Sequence, residues 1–378
     1  MKNNSNSSTT QKDKTRPKDE RVREISTFTK VLTRPEMASV GGGVIIFLIF
    51  GLTVGDSGMF SALGIINFLE PSAQLGIIAI AASLLMIGGQ FDLSIGSMIG
   101  FASVCVAIMV GEFQMPIWSV VIITFAIAAL VGYVNGILVV TTRLPSFIVT
   151  LAMLFILRGA ALVVMRGITG RTQAYIEREV IEASFWGNLF GGRIGVDLFN
   201  KLAEQGIIDA RASDGLALAQ GIPISIVWCL VLVVLSTLIL NRTKLGNWIF
   251  ASGGDERAAN NIGVPVKKVK IGLFIFTAIS ATLFGLLQVF SSASADTLRG
   301  ELKEFEAIIS AVIGGTLLTG GYGSTIGAVL GAVIFGVIRQ GIYYTGIDAD
   351  WFRVFLGVMV LLAVIFNNII RSRATGSK

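Results

Sequence analysis

Ten apolar runs, most close to 20 residues long, succeed one another from residue 39 to residue 370. They lie at 39–57, 73–88, 94–111, 117–140, 146–165, 223–240, 270–290, 307–319, 324–344 and 351–370. Roughly 20 helical residues cross the hydrocarbon of a bilayer, and only a helix or a closed barrel satisfies its backbone there. The chain carries 14% charged residues and 53% hydrophobic ones, against about a quarter charged in a soluble domain. The expected fold is all-α: a polytopic membrane protein of about ten transmembrane or partly re-entrant helices.

Two places depart from clean spans. Runs 73–88 and 94–111 are short and separated only by Gly89-Gln90-Phe91-Asp92-Leu93. Run 307–319 is short and ends in Gly320-Gly321-Tyr322-Gly323. Short, glycine-interrupted spans predict broken or re-entrant helices facing a protein-lined cavity.

Charge orients the chain. With the N-terminus in the cytoplasm and the spans alternating, the inside segments hold 19 Lys and Arg, and the outside segments, 56–72, 112–116, 166–222, 291–306 and 345–350, hold 8. That asymmetry follows the positive-inside rule and places both termini in the cytoplasm. The net charge of +6 is thus a topology signal, and no nucleic-acid partner is expected. Residues 1–38 read as a cytoplasmic tail, polar and disordered over 1–25, with no apolar core close enough to Met1 for a cleavable signal peptide. Residues 39–370 form the membrane domain and 371–378 a second cytoplasmic tail. Residues 166–222 are a nearly neutral outside insertion with amphipathic stretches such as Ala174–Phe185, and 241–270 an inside loop.

The absence of histidine removes imidazole acid–base chemistry. Cys105 and Cys229 lie inside apolar runs, so neither a disulfide framework nor a metal site is expected. The segment Gly-x-x-x-x-Gly-Lys-[Ser/Thr] that cradles nucleotide phosphates is missing.

The inside loop is punctuated. Asp255 can cap a short helix, Glu256 stands in its first turn, Gly263 can close it in a left-handed conformation, and Pro265 stops its continuation. Its small apolar face is Ala258, Ala259 and Ile262. Such a helix either lies on lipid headgroups or carries a partner.

The stretch Ala251-Ser-Gly-Gly-Asp-Glu-Arg-Ala-Ala-Asn-Asn-Ile-Gly263 resembles the cytoplasmic loop of sugar-type ABC transporter permeases, Ala-x-Gly-x-x-x-x-Ala-Ala-x-x-x-Gly. Asp92-Leu93-Ser94-Ile95-Gly96-Ser97 is similar to that family's Gly-Gly-Ile-Asp-Leu-Ser-Val-Gly signature. Leu144-Pro145-Ser146-Phe147-Ile148-Val149-Thr150-Leu151 resembles its Leu-Pro-x-Phe-Ile-Val-Thr-Leu segment. Val312-Ile313-Gly314-Gly315-Thr316, followed by Gly320-Gly321-Tyr322-Gly323-Ser324, resembles its Val-Ile-Gly-Gly and Gly-Gly-x-Gly-Ser run. The four stretches stand in the family's order across 39–370. The resemblance implies an inner-membrane importer subunit that pairs with a second permease, most simply its own copy. It implies cytoplasmic ABC ATPases docked on Asp255, Glu256, Arg257, Ala258, Ala259, Ile262 and Gly263, with ATP and magnesium held by those partners and no cofactor by this chain. It further implies a periplasmic or lipid-anchored binding protein delivering a monosaccharide. Gln90 departs from the family's glycine, and either shapes the solute site or satisfies backbone groups at the break.

Polar groups at membrane depth are functional candidates. Asp92 is either a gate in the pathway or the cap of the helix after it, with Ser94 and Ser97 beside it. Asn135 can hydrogen-bond across helices, and Gln288 is a candidate for a sugar hydroxyl. Arg158 lies mid-span with Asp92 a candidate partner. The spacings Gly96-x-x-x-Gly100, Gly132-x-x-x-Gly136 and Gly323-x-x-x-Gly327-x-x-x-Gly331 suit close helix packing. Three readings compete with sugar import. Another small solute (a nucleoside, a signalling sugar derivative, a branched-chain amino acid) suits the same architecture. An ion-coupled transporter needs intramembrane carboxylates, of which the sequence offers Asp92. A membrane-embedded enzyme lacks an acid–base pair.

Overall fold

A computed structural model describes residues 36–348 and, beyond them, 350–352, 354–359, 361 and 365. The tail 1–35, half of the run 351–370 and the tail 371–378 lie outside the described residues.

Among the described residues, eight helices are long and apolar enough to cross a membrane. They are α1 (Glu36–Val54), α2 (Ala62–Ile87), α3 (Ile95–Ala107, extended by a π-helical turn Ile108–Glu112), α4 (Ile117–Thr142) and α5 (Ser146–Thr169), followed by α9 (Ile224–Arg242), α12 (Val266–Ser292) and α14 (Thr325–Tyr344). Between α5 and α9, the insertion carries three short helices, α6 (Arg178–Glu182), α7 (Phe185–Gly191) and α8 (Val196–Glu204). It also carries strands β1 (Gln173–Tyr175), β2 (Arg193–Ile194) and β3 (Ile222–Pro223). Two further helices, α10 (Lys244–Gly254) and α11 (Glu256–Asn261), occupy the loop after α9, while β4 (Ser294–Asp296) and α13 (Lys303–Ile313) follow α12. The strands only staple loops, β1 to β4 and β2 to β3, both antiparallel.

Three expectations change. Run 73–88 is the second half of a 26-residue helix. Asn67 and Glu70-Pro71 interrupt its hydropathy but not the helix: Pro71 stands more than two turns in, where its missing N–H removes one backbone bond, a loss that helices within a membrane bundle tolerate. Run 307–319 belongs to an 11-residue helix, α13, too short to span. The amphipathic stretch Ala174–Phe185 is divided among β1, α6 and the start of α7.

Four helices form the interior. Within α2, α3, α12 and α14, 61–83% of the most apolar window is buried, against 17–33% in α1, α4, α5 and α9. The inner helices pack closely because small residues remove side-chain bulk at their crossings. A Cβ on Gly132 would press on the backbone of Phe274 and Ile275, and one on Gly136 on Ile271, which seats α4 against α12. Gly327 and Gly331 lie against the backbone of Gly314 and Ser310, seating α13 on α14. Gly96 and Gly100 leave room for Gly300, Glu304 and Arg299. Gly323 faces Ile87 and Thr316.

That last set of contacts on α3 corrects the reading of 291–306 as an outside segment. After α12 the chain turns back, pairs β4 with β1, and descends along α3 until Gly300 meets Gly96. Glu304 and Glu306 are 5% exposed. Lys303 pairs with Glu306, and Glu304 Oε2 has no partner among the described residues. Asp92 is therefore not the sole buried carboxylate of the bundle.

Candidate functional site

The break between α2 and α3 needs partners for its amides, since neither helix supplies them. α2 ends with Gly88 and Gly89, the latter at φ 77°, and the Gln90 amide still donates back to the Leu85 carbonyl at 3.0 Å. The next donors turn to α5. The Phe91 amide donates to Ser146 Oγ and the Leu93 amide to Thr150 Oγ1, each at 3.0 Å. Ser146 and Thr150 are four residues apart, so one face of the first turn of α5 offers both hydroxyls.

Asp92 is 3% exposed. Its Oδ1 accepts from the Ser94 amide at 2.8 Å and from Ser94 Oγ at 2.5 Å. The cap reading of Asp92 thus takes a specific form: the carboxylate closes a turn two residues on, and α3 begins at Ile95. Ser97 Oγ donates to the Ser94 carbonyl at 2.9 Å. Asn135, fully buried on α4, donates to Ser94 Oγ at 3.1 Å. Its Oδ1 has no partner among the described residues. Asp92, Ser94, Ser97 and Asn135 are therefore one network, able to accept and donate hydrogen bonds but lacking an acid–base pair.

Two of the predicted residues lie apart from it. Gln288 Nε2 donates to Gln74 Oε1 at 3.2 Å, beside Ser291, Glu70 and Arg193, which link the insertion to α2 through contacts of 3.4 Å. Gln90 is half-buried and lines a cavity of about 1090 Å³. That cavity opens between the break, the α4–α5 turn at Arg143–Phe147, and α11, with Asp255, Glu256 and Lys267 on its wall. Arg158 does not meet Asp92. Its Nη1 donates to the carbonyls of Thr297 and Arg299 at 3.2 Å each, holding down the descending segment.

At the same end of the bundle stands α11. Asp255 Oδ1 accepts from the amides of Arg257 at 2.9 Å and Ala258 at 3.0 Å. Gly263 closes the helix at φ 85°. Ala258 is exposed and Ile262 is 79% exposed. Ala259 is not: it is 2% exposed and packs with Val264, Val266, Trp248 and Ala251. The face offered outward is Ala258 and Ile262, and the apolar contact proposed for Ala259 is directed into the chain's own loop. The preceding helix α10, capped by Thr243 Oγ1 on the Gly246 amide at 3.3 Å, was not legible as a separate element. Ser146 and Thr150 were also missed as site residues. Their signal was a pair of hydroxyls four apart at the start of a span, facing a neighbouring break.

The model of the family "Branched-chain amino acid transport system / permease component" matches residues 64–364. Among curated relatives, the ribose import permease protein of Escherichia coli is 28% identical over 90% of this chain and 96% of its own length. The fructose import permease protein of Rhizobium meliloti is 30% identical over 88% of this chain and 84% of its own. An inner membrane ABC transporter permease protein of Escherichia coli, YjfF, is 29% identical over 81% and 84%. No solved structure matches this chain. With eight span-like helices among the described residues, the chain is a multi-pass inner-membrane protein belonging to the branched-chain amino acid transport system permease component family.

Proposed function

We propose that the chain is the transmembrane subunit of an ABC importer that moves a monosaccharide, a pentose or hexose or a related polyol, into the cytoplasm. The observation that carries this reading is α11: a helix of six residues, capped at its start by Asp255, closed by Gly263, and exposing Ala258 and Ile262 at the end of the bundle. Small side chains allow a partner's groove to approach closely. The end of the bundle that carries α10, α11 and the 88–94 break faces the cytoplasm, and the insertion faces the periplasm. Cytoplasmic ATPases, holding ATP and magnesium, dock on α11. A binding protein delivers the solute from outside, and a second copy of the chain completes the pathway. The chain's likeness to the ribose and fructose import permeases supports a sugar. The family's own description keeps a branched-chain amino acid as the second reading.

In this account the Asp92–Ser94–Asn135 network lies on the solute's way to the cavity beside Gln90. Its mixed donors and acceptors suit hydroxyl groups better than a purely apolar side chain.

The test is Ala258→Glu. It adds bulk and charge to a partly desolvated contact, costing on the order of 1–3 kcal/mol, while leaving the spans untouched. The variant should reach the membrane at normal level, fail to retain its ATPase and fail to support uptake. Retention of both overturns the docking reading and leaves α11 as a helix lying on lipid headgroups. Cysteines placed at Ser8 and Ser213 test the orientation: only the second should react from outside.

A further inference from the structure

The loop that carries α11 holds the bundle in two places, and the two grips reach different helices. α10 ends at Gly254, α11 starts at Glu256, and Asp255 between them is extended, with φ −148° and ψ 103°.

The first grip is on the α10 side. Gly253 lies against the last turn of α2, where any Cβ would collide with the Ile87 carbonyl. That carbonyl accepts from the Gly321 amide at 2.8 Å. The end of α10 is thus wedged between α2 and the 317–323 turn, backbone on backbone.

The second grip is on the α11 side. Glu256 Oε2 accepts from Lys270 Nζ at 2.6 Å. The Lys270 side chain is 7% exposed and that of Glu256 is 53% exposed. The lysine is in the second turn of α12, a 27-residue helix through the interior. Ala259 of α11 also packs in one apolar cluster with Val264 and with Val266 of α12, so α11 and the start of α12 move together. Lys270 stands on the wall of the cavity beside Gln90, and a mostly buried ammonium with one carboxylate partner resists separation, because parting them leaves its charge poorly solvated.

Together these grips make Asp255 a joint of one residue, with α2 on one side and α12 on the other. We infer that the Glu256–Lys270 pair is the link that passes a displacement of α11 to α12, shearing α12 against α2, and that Lys270 is a positioning residue of the transport cycle. The inference rests on the docking reading above.

Lys270→Met tests it. The substitution keeps an unbranched apolar stem and leaves Glu256 half-exposed to water, so no buried charge is orphaned. The permease is purified with its ATPase, reconstituted in proteoliposomes and supplied with the binding protein. The ATPase should co-purify at wild-type level and hydrolyse ATP within about twofold of the wild-type rate. Solute moved per ATP should fall about tenfold, within the usual range of coupling between sites. Lys270→Arg, which keeps a cation, should stay within about threefold of wild type. Lys270→Gln supplies the same loss of charge if the Met variant does not insert. Unchanged solute per ATP in the uncharged variants, or loss of the ATPase from them, overturns the link. The docking reading fails separately, by Ala258→Glu keeping its ATPase.

Discussion

The two interruptions of the bundle, 88–94 and 314–324, solve one problem by different means. Each leaves backbone donors without a helical partner inside a largely apolar molecule. At 88–94 the amides up to Gln90 still donate back to α2, and those beyond go to side chains: Phe91 to Ser146, Leu93 to Thr150, and Ser94 to Asp92. At 314–324 they go to other backbone carbonyls. Thr316 donates to Ala311 at 2.9 Å, Leu317 to Tyr322 at 3.1 Å, and Gly321 to Ile87 at 2.8 Å. The second solution needs a tight chain path, with Gly321 at φ 72° and a Cβ there pressing on Gly254. The first break can be altered chemically without moving the chain. The second can be altered only by moving it.

Substitutions should separate the two. The largest effect is expected at Gly321→Val. A β-branched residue in the left-handed region costs roughly 1–3 kcal/mol, and overpacking against Gly254 costs about as much again. Thermal melting in detergent should drop sharply, and uptake should fall with it. A wild-type melt would show that the turn is not bound by its backbone path.

Asp92→Ala comes next. It releases the Ser94 amide and hydroxyl in a buried site, each loss worth about 1–3 kcal/mol. Uptake should fall more than ATPase association does. Wild-type uptake at normal expression removes Asp92 both as a gate and as a required turn. Thr150→Val preserves shape and deletes the acceptor of a single amide, for about 1–3 kcal/mol at most. It should lower the melt slightly and leave the ATPase in place. An effect as large as that of Gly321→Val would erase the distinction between the breaks.

The smallest effect belongs to Gln288→Ala. Its partner Gln74 is buried, but it shares a small polar pocket with Glu70, Arg193 and Ser291, where other donors remain. The melt should hold, and only the concentration dependence of uptake should shift. An unchanged dependence removes Gln288 from the pathway.

Much of this architecture was legible in the sequence, for reasons tied to particular residues. Hydropathy located the spans because lipid leaves a helix no alternative. Asp255, Gly263 and Pro265 announced α11, since capping is local. Asp92 and its glycines announced a break. What stayed hidden was relational. Asn67 and Glu70 masked the first half of α2 because burial against other helices, not hydropathy, holds it. The acidic content of 291–306 read as an aqueous loop, although Glu304 and Glu306 are buried along the interior. Spacing put Ala258 and Ala259 on one face, but α10, unannounced, covers Ala259. The hydroxyls of Ser146 and Thr150 acquire a role only once α5 lies beside the break.

The central claim is that nucleotide hydrolysis by a docked partner drives the solute across these helices. Buried Glu304, Glu306 and Asp92 give an ion-coupled mechanism more carboxylates than hydropathy alone reveals, so the driving force is the decisive measurement. Membrane vesicles carrying the chain, its ATPase and the binding protein would be assayed for uptake across a panel of labelled pentoses and hexoses. Uptake should stop on ATP depletion and persist when ionophores collapse the proton and sodium gradients at constant internal ATP. Uptake that survives ATP depletion and ends with the ion gradients would contradict the account.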